Sequence, residues 1–306
     1  MEDYPKTITE FEERFATEES CRRYLYQLRW PEGFRCPRCS YHAAWSKNND
    51  LYQCQQCGYR VSVIAGTIFQ DTRKPLRLWF RAIWYITRQK HGVSALGLQR
   101  VLGLGSYRTA WTWLHKLRCA MVRPGRDRLS GIVEIDETYI GGEKPGKRGR
   151  GAAGKALVFV AAEDKDSHIG RIRLVRVIDA SAESLTKAVK ATIESSTIVR
   201  TDGWNGYNLL PSAGYARIVV RHDPVVGDNL LPLVNRVVSL LKRWLLGTHQ
   251  GAVQPSHIDY YLDEFTFRFN RRTSRSRGKL FYRLIQQAVT LHPVKGEEFK
   301  AGRTIF

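Results

Sequence analysis

The feature that most constrains this chain is a repeated cysteine pair. Cys36-Pro-Arg-Cys39 and Cys54-Gln-Gln-Cys57 stand fourteen residues apart. A tetrahedral zinc ion needs four donors, and each pair can deliver two thiolates from one tight turn. The separation suits a hairpin between the two knuckles. Tyr41, His42, Trp45 and Lys47 occupy that stretch, too little apolar mass for a core that folds without metal. The spacing predicts one structural Zn2+ on Cys36, Cys39, Cys54 and Cys57, with ordinary buried or redox cysteines as the competing reading. Cys21 and Cys119 fall outside the spacing and read as core thiols. Ribbons of this kind serve many proteins that handle DNA or RNA, so the motif defines the metal more sharply than the task.

Charge narrows the task. The 306 residues carry 49 Lys+Arg against 29 Asp+Glu, a formal net charge of +20. Such an excess opposes compaction and favours a polyanionic partner, nucleic acid ahead of an anionic membrane surface. No apolar run reaches the ~18 residues needed to span a bilayer. The start, MEDYPKTITEFEERF, is acidic and lacks the basic-then-apolar layout of a signal peptide. The expected location is the cytoplasm, at the nucleoid, where cysteines bind metal more often than they form disulfides.

The pattern changes along the chain define modules. Residues 7–30 read as helix, 34–70 as cysteine knuckles with short β runs such as 59–64, and 75–121 as helices broken at Gly92 and Gly103–Gly105. Helix, glycine turn, helix is the outline of a helix-turn-helix; a plain helical spacer is the alternative. In its last helix Arg108, Trp111, Thr112, His115 and Lys116 could face a DNA groove. Strands are expected at 132–140, 156–162, 169–178, 197–200 and 216–221. A helix is expected at 182–195 with Ser181 as N-cap, and others at 230–247, 256–270 and 278–290. A three-strand meander followed by helix, strand and further helices is the order of an RNase H-like α/β sheet. The expected division is residues 1–74 (N-terminal helix and zinc ribbon), 75–128 (helix-turn-helix-like segment and linker), 129–291 (the α/β catalytic-type domain) and 292–306 (a loose tail).

Within the α/β region, Asp136 lies on an expected strand and Asp202 follows another short apolar run. Carboxylates so placed can meet across a sheet and hold Mg2+ with positions left open for phosphate and water. Taken singly, either is an ordinary strand-end or turn residue. In the helix expected at 230–247, Asn235, Ser239 and Lys242 share a face, because positions i, i+4 and i+7 align at 3.6 residues per turn. Asn235 offers an amide oxygen and Lys242 can reach a phosphate. Glu134 and Glu137 flank Asp136, with Glu137 expected on the opposite strand face. Asp263 or Glu264 are alternatives to Asn235, His222 is a candidate phosphate contact, and His249 reads as a packing residue.

These stretches carry a resemblance. The paired cysteine knuckles, Glu134-Ile135-Asp136-Glu137-Thr138-Tyr139-Ile140-Gly141-Gly142, Thr201-Asp202-Gly203-Trp204, Asn235 with 242–249, and the segment 261–272 occur in fixed order over nearly the whole chain. The chain resembles the zinc-ribbon insertion-sequence transposases of family 1595, in the wider DDE transposase/integrase group. The resemblance implies that Asp136 and Asp202 are the first two catalytic positions and Asn235 the third, with Lys242 seven residues on and two Mg2+ or Mn2+ ions as cofactors. Many relatives in the wider group have Glu at the third position, so Asn235 would give the second ion less Coulombic help. The implied activity is cleavage at transposon ends and strand transfer into target DNA by a homodimer or larger assembly. An RNase H-like nuclease or resolvase without strand transfer, and a domesticated DNA-binding regulator, remain as alternatives.

Two basic stretches complete the reading. Lys144, Lys147, Arg148 and Arg150 lie in a glycine-rich segment between the first two expected strands. Arg268, Arg271, Arg272, Arg275, Arg277 and Lys279 form a second block. Contacts of this sort position a nucleic-acid backbone rather than read its sequence; a merely solvated charged face is the alternative for each.

Overall fold

The computed structural model describes residues 2–47, 51–123, 125–141, 154–166, 168–222, 229–251 and 253–301. They fall into two compact units, Met1–Arg123 with Ser274–Gly296, and Pro124–Thr273 with Glu297–Phe306.

The first unit opens with two helices where the sequence pattern suggested one. α1 (Ile8–Arg14) ends at Phe15, and α2 (Glu18–Arg29) restarts from Thr17. The reason is a capping box: the Thr17 hydroxyl accepts from the Ser20 amide and the Ser20 hydroxyl accepts from the Thr17 amide. Apolar periodicity runs straight through this break, so it hides the restart. The ribbon follows as an antiparallel meander of β1 (Ala44–Lys47), β2 (Leu51–Cys54) and β3 (Arg60–Ser62). Then come α3 (Leu76–Arg88), α4 (Ala95–Leu102) and α5 (Tyr107–Ala120). Ser94 caps α4, and Gly103, at φ +62°, ends it in the left-handed region that glycine tolerates best.

The helix expected at 278–290 forms as α9 (Arg277–Ala288), and it belongs to this first unit rather than to the α/β sheet. Its fully buried Phe281 sits among Phe11, Phe15, Tyr24, Phe80 and Trp84, with ring centroids 5.4–6.4 Å away. An amphipathic helix announces that it has an apolar face but not which partner covers it. That is why the boundary drawn at 291 from pattern differs from the one at 273 drawn by packing.

The second unit is a five-stranded sheet in the order β6-β5-β4-β7-β8. β4 (Ile132–Ile140), β5 (Ala156–Lys165) and β6 (His168–Val177) form the antiparallel meander; β7 (Ile198–Thr201) and β8 (Ala216–Val219) add in parallel. Between β6 and β7 runs α6 (Ala182–Thr192), capped by the Ser181 hydroxyl. Strand alternation divides the core. Val133, Ile135, Leu157, Phe159 and Val199 pack with Leu185 and Val189 of α6. Ile140, Val158, Val160 and Leu174 pack on the other face with α7 (Pro232–His249) and α8 (Ile258–Phe269). A three-layer mixed sheet of this order is the expected RNase H-like arrangement. The tail is not wholly loose: α10 (Glu298–Ala301) buries Phe299 completely, 5.5 Å from the Tyr260 ring. No helix among the described residues is long and apolar enough to cross a membrane.

Candidate metal centres

In the ribbon, the two knuckles fold alike. The Ser40 amide donates to the Cys36 carbonyl and the Gly58 amide to the Cys54 carbonyl, at 2.9 and 3.1 Å. The Cys36 and Cys54 amides donate to the carbonyls of Tyr41 and Tyr59, both at 2.9 Å. These turns bring all four sulfurs within 4.8 Å of one another, with Cys36–Cys57 at 3.7 Å and Cys39–Cys54 at 3.5 Å. A tetrahedron with Zn–S bonds of ~2.3 Å has edges of about 3.8 Å. The four thiols therefore fit zinc as they stand. Burial opposes ionisation of Cys54, but hydrogen bonds from the Cys57 and Gln56 amides and from the Cys39 and Cys57 thiols together hold the thiol below the ordinary cysteine value. Cys21 is a core thiol, pushed up to about 12 by burial and by Glu18, while Cys119 is half-buried.

The second centre is assembled from separate strands. β4 pairs with β7 in parallel, Ile132 with Ile198, Val133 with Val199 and Glu134 with Arg200. The pairing ends at Glu134–Arg200; Asp136 lies two residues further along β4, and Asp202 directly follows Thr201, the last residue of β7. Neighbouring strands lie ~4.8 Å apart. The even-numbered positions share one face: Ile140 of β4 packs in the α7 core, whereas Val133 and Val199 pack on α6. Asp136 and Asp202 are both half-buried. Around Tyr207 the acids converge: burial raises its hydroxyl well above the ordinary value, and the charges of Glu137, Asp136 and Asp202 push the same way. Glu137 comes from the opposite strand face, as alternation requires.

The turn after β7 is held by residues whose part the sequence did not reveal. Asp202 Oδ1 accepts from the Trp204 amide at 3.0 Å, and the Trp204 indole donates to the Ala180 carbonyl at 3.0 Å. Arg217 on β8 donates to Thr201 Oγ1, to the carbonyls of Asp202 and Trp204, and to Asn208 Oδ1, at 2.7–3.2 Å. At Gly206 a Cβ would lie 2.5 Å from the Trp204 indole nitrogen and 2.7 Å from the Ala180 carbonyl, so the turn requires glycine there. The Asp202-Gly-Trp-Asn-Gly string was the available signal; Arg217 had none.

Asn235 is exposed on α7, its amide nitrogen donating to Asn229 Oδ1 at 2.7 Å. Lys242 lies two turns on and lines a cleft with Tyr139, Ile140 and Gly141 at the end of β4. Burial and the neighbouring Lys155 hold its ammonium below the ordinary lysine value. Glu134, two residues before Asp136 on the same face, is buried and accepts from the Leu233 and Val234 amides at 2.8 and 3.1 Å. Burial raises its pKa against those two bonds. Glu264 is buried in an ion pair with Arg268 at 2.8 Å, and Asp263 is buried beside it on α8. His222 is exposed just past β8, and His249 packs edge-on to Trp244 and Tyr261.

Several expected nucleic-acid contacts turn inward. His115 is fully buried, 4.0 Å from the Trp111 ring, and Lys116 donates to the Ile68 carbonyl at 3.1 Å. α5 is covered on more than one side: Trp113 stacks on Trp79 at 3.8 Å, and His115, about 200° further round the helix, is buried as well. Arg108 remains exposed. Arg271 lies over the Phe267 ring and bonds the Phe267 carbonyl at 3.3 Å. Arg272 bonds the carbonyls of Ile169, Gly170 and Phe269, tying the end of α8 to β6. Lys279 pairs with Glu2 at 2.8 Å. Arg268, Arg271, Arg272 and Lys279 of the C-terminal basic block thus each bond within the fold, with Arg272 still exposed. Lys144, Lys147, Arg148 and Arg150 lie outside the described residues.

A zinc ribbon joined in one chain to an RNase H-like sheet suits a protein that handles nucleic acid. Comparison with known proteins makes this specific: residues 128–270 match the ISXO2-like transposase domain and residues 16–60 the transposase zinc-ribbon domain. Both matched models are transposase domains, and together they span 188 of the 306 residues. A relative from Halobacterium salinarum, described as an uncharacterized protein in transposable element ISH50, is 28% identical over 288 residues. The alignment covers 87% of this chain and 94% of that protein.

Proposed function

We propose that the α/β unit cuts transposon ends and joins them to target DNA by metal-dependent phosphoryl transfer at Asp136, Asp202 and Asn235. The observation that carries this reading is the parallel β4–β7 pairing, which puts the strand bearing Asp136 beside the strand that ends just before Asp202. Two carboxylates and an amide oxygen are hard donors, the set that suits Mg2+ or Mn2+. When bound, two such ions supply positive charge at the attacking and leaving oxygens of an in-line displacement. The protein's part is positioning and charge complementarity. Asp136, midway along the central strand β4, and Asp202, just past β7, hold the site, Asn235 completes it from α7, and Lys242 engages a phosphate from the cleft beside Gly141. In the first step water attacks the phosphodiester at an element end, the bond to the departing strand breaks, and a 3′-OH is freed. In the second, that 3′-OH attacks a target phosphodiester, displacing the target's own 3′ oxygen. Both steps exchange P–O bonds and need no covalent protein–DNA link. Two ends must be held together, so the working form is a homodimer or larger assembly on double-stranded DNA, acting at the nucleoid in the cytoplasm. Arg108 and the basic residues 144–150 are the proposed backbone contacts.

The test is a strand-transfer assay with end DNA, a supercoiled target and Mg2+ or Mn2+, run beside Asp136→Ala and Asp202→Ala. Metal-dependent joining that disappears in both variants supports the reading. Cleavage without joining assigns a nuclease instead, and DNA binding alone, unchanged in the variants, assigns a regulator.

A further inference from the structure

The third member of the proposed site stands on a helix whose start is unusual. α7 begins with Pro232, which has no amide hydrogen, and its N-cap Leu231 offers no side-chain bond. The first amides free to donate are those of Leu233 and Val234, and burying them unpaired is costly. Both donate to one oxygen of Glu134, at 2.8 and 3.1 Å. Glu134 is 3% exposed and lies on β4, two residues from Asp136 and on the same sheet face. Asn235 is the next residue after Val234, and its own amide bonds the Leu231 carbonyl at 2.9 Å within that first turn.

The rest of α7 is held by Val234, Val237, Leu241, Trp244 and Leu245, all in the apolar layer over the sheet. Apolar burial is non-directional. It turns the correct side of the helix to the sheet but constrains sliding along the helix axis less tightly. A charged oxygen accepting two N–H bonds is directional and short-ranged, and it acts at the turn that presents Asn235.

We propose that Glu134 is a positioning residue for the catalytic site: its carboxylate ties the first turn of α7, and with it Asn235, to the strand that carries Asp136. The inference rests on the reading of Asp136, Asp202 and Asn235 as the reacting site. Glu134 itself touches neither ions nor DNA in this assignment. It acts as an acceptor with a defined reach, so shape matters more than charge.

Three substitutions separate the possibilities. Glu134→Gln keeps the length and an oxygen that can accept both amides. Glu134→Asp keeps the charge but falls one methylene short. Glu134→Ala removes the acceptor. Misplacement of a reacting group by about 1 Å costs on the order of 100-fold in rate. The expected result in the full-length protein is a loss of that size in the cleavage rate constant for Ala and Asp, with end-DNA affinity unchanged. Gln is expected to stay within about fivefold of the parent, since the geometry behind that loss is kept. Amide hydrogen exchange at Leu233 and Val234 should speed up in Ala and Asp, and stay slow in Gln and in Asp136→Ala. Parental cleavage by Glu134→Asp, or a Gln variant as slow as Ala, overturns the proposal, the second because it makes charge or ligation the essential property. If Ala does not fold, the Gln and Asp pair still decides. Should Asp136→Ala cleave normally, the site reading fails, whereas the exchange data report on the tie between Glu134 and α7 independently.

Discussion

The ribbon and the β4–β7 site gather metal-binding groups in opposite ways. In the ribbon, all four donors come from positions 36 to 57, and two like turns bring them together with local backbone bonds. In the α/β unit the candidate donors stand at 136, 202 and 235. Under the proposal they would be gathered by a parallel strand pair, a clamped turn and a tethered helix. A local site depends on its metal for its fold, whereas a distributed site depends on its fold for its metal. The two should therefore fail differently.

The largest difference lies in metal removal. Structural zinc contributes roughly 10–16 kcal/mol in small finger-type domains, so chelation or Cys54→Ser is expected to unfold the ribbon. Chemical shifts of residues 36–60 should collapse toward random-coil values. Withdrawal of Mg2+ should leave the shifts of the sheet residues in place. A ribbon that keeps its dispersion without zinc would break the comparison.

Next in size is the loss of a single carboxylate. Asp136→Ala or Asp202→Ala should lower cleavage roughly 1,000-fold, the range for removing one electrostatic contributor from a preorganised site. Thermal unfolding of the sheet should move little, because both side chains are only half-buried. A large fall in melting temperature would show that these acids serve the fold rather than the site.

A smaller effect sharpens the reading of Glu134. The chain uses the same device a second time: Glu18 of α2 accepts from the Leu76 and Arg77 amides, at 2.9 and 3.0 Å, at the start of α3 after Pro75. Loss of a helix cap costs about 1–2 kcal/mol. Glu18→Ala should lower stability by that amount in denaturant unfolding and leave the cleavage rate constant of folded protein unchanged. If Glu18→Ala slows cleavage as much as Glu134→Ala, the effect of Glu134 is generic capping.

The smallest expected change concerns the knuckles. Gly58 takes φ +69° in the second turn, and Ser40 takes φ +62° at the matching place in the first. A left-handed serine costs about 1 kcal/mol relative to glycine. Ser40→Gly should raise zinc affinity by roughly threefold or more in a competition titration, the equivalent of ~0.7 kcal/mol after the entropic cost of glycine. No gain would show that the ribbon already absorbs this strain.

How much of this was legible differs between the regions for the same reason. The zinc set could be read outright, since a tetrahedral ion and two tight turns leave little freedom in spacing. Strand alternation also placed Asp136 and Glu137 on opposite faces, and Ser181 was readable as a cap. The break at Thr17 was not read, because apolar periodicity continues across it. Nor was the inward turn of His115 and Lys116: a helix has several faces, and only the packing around α5, which covers more than one of them, decides which are buried.

The sequence by itself determined the ribbon, the order of strands and helices, and the acids and amide available to a site. These are local properties, set by side-chain chemistry and by periods of 2 and 3.6 residues. Only the tertiary structure decided that α9 joins the N-terminal helices, that Arg271 and Arg272 are held against backbone carbonyls, and that Glu134 and Arg217 brace the elements around Asp136 and Asp202. Each of those outcomes depends on partners far apart in the chain. Apolar burial and hydrogen bonding choose such partners by fit in three dimensions, and a one-dimensional pattern carries no term for that choice.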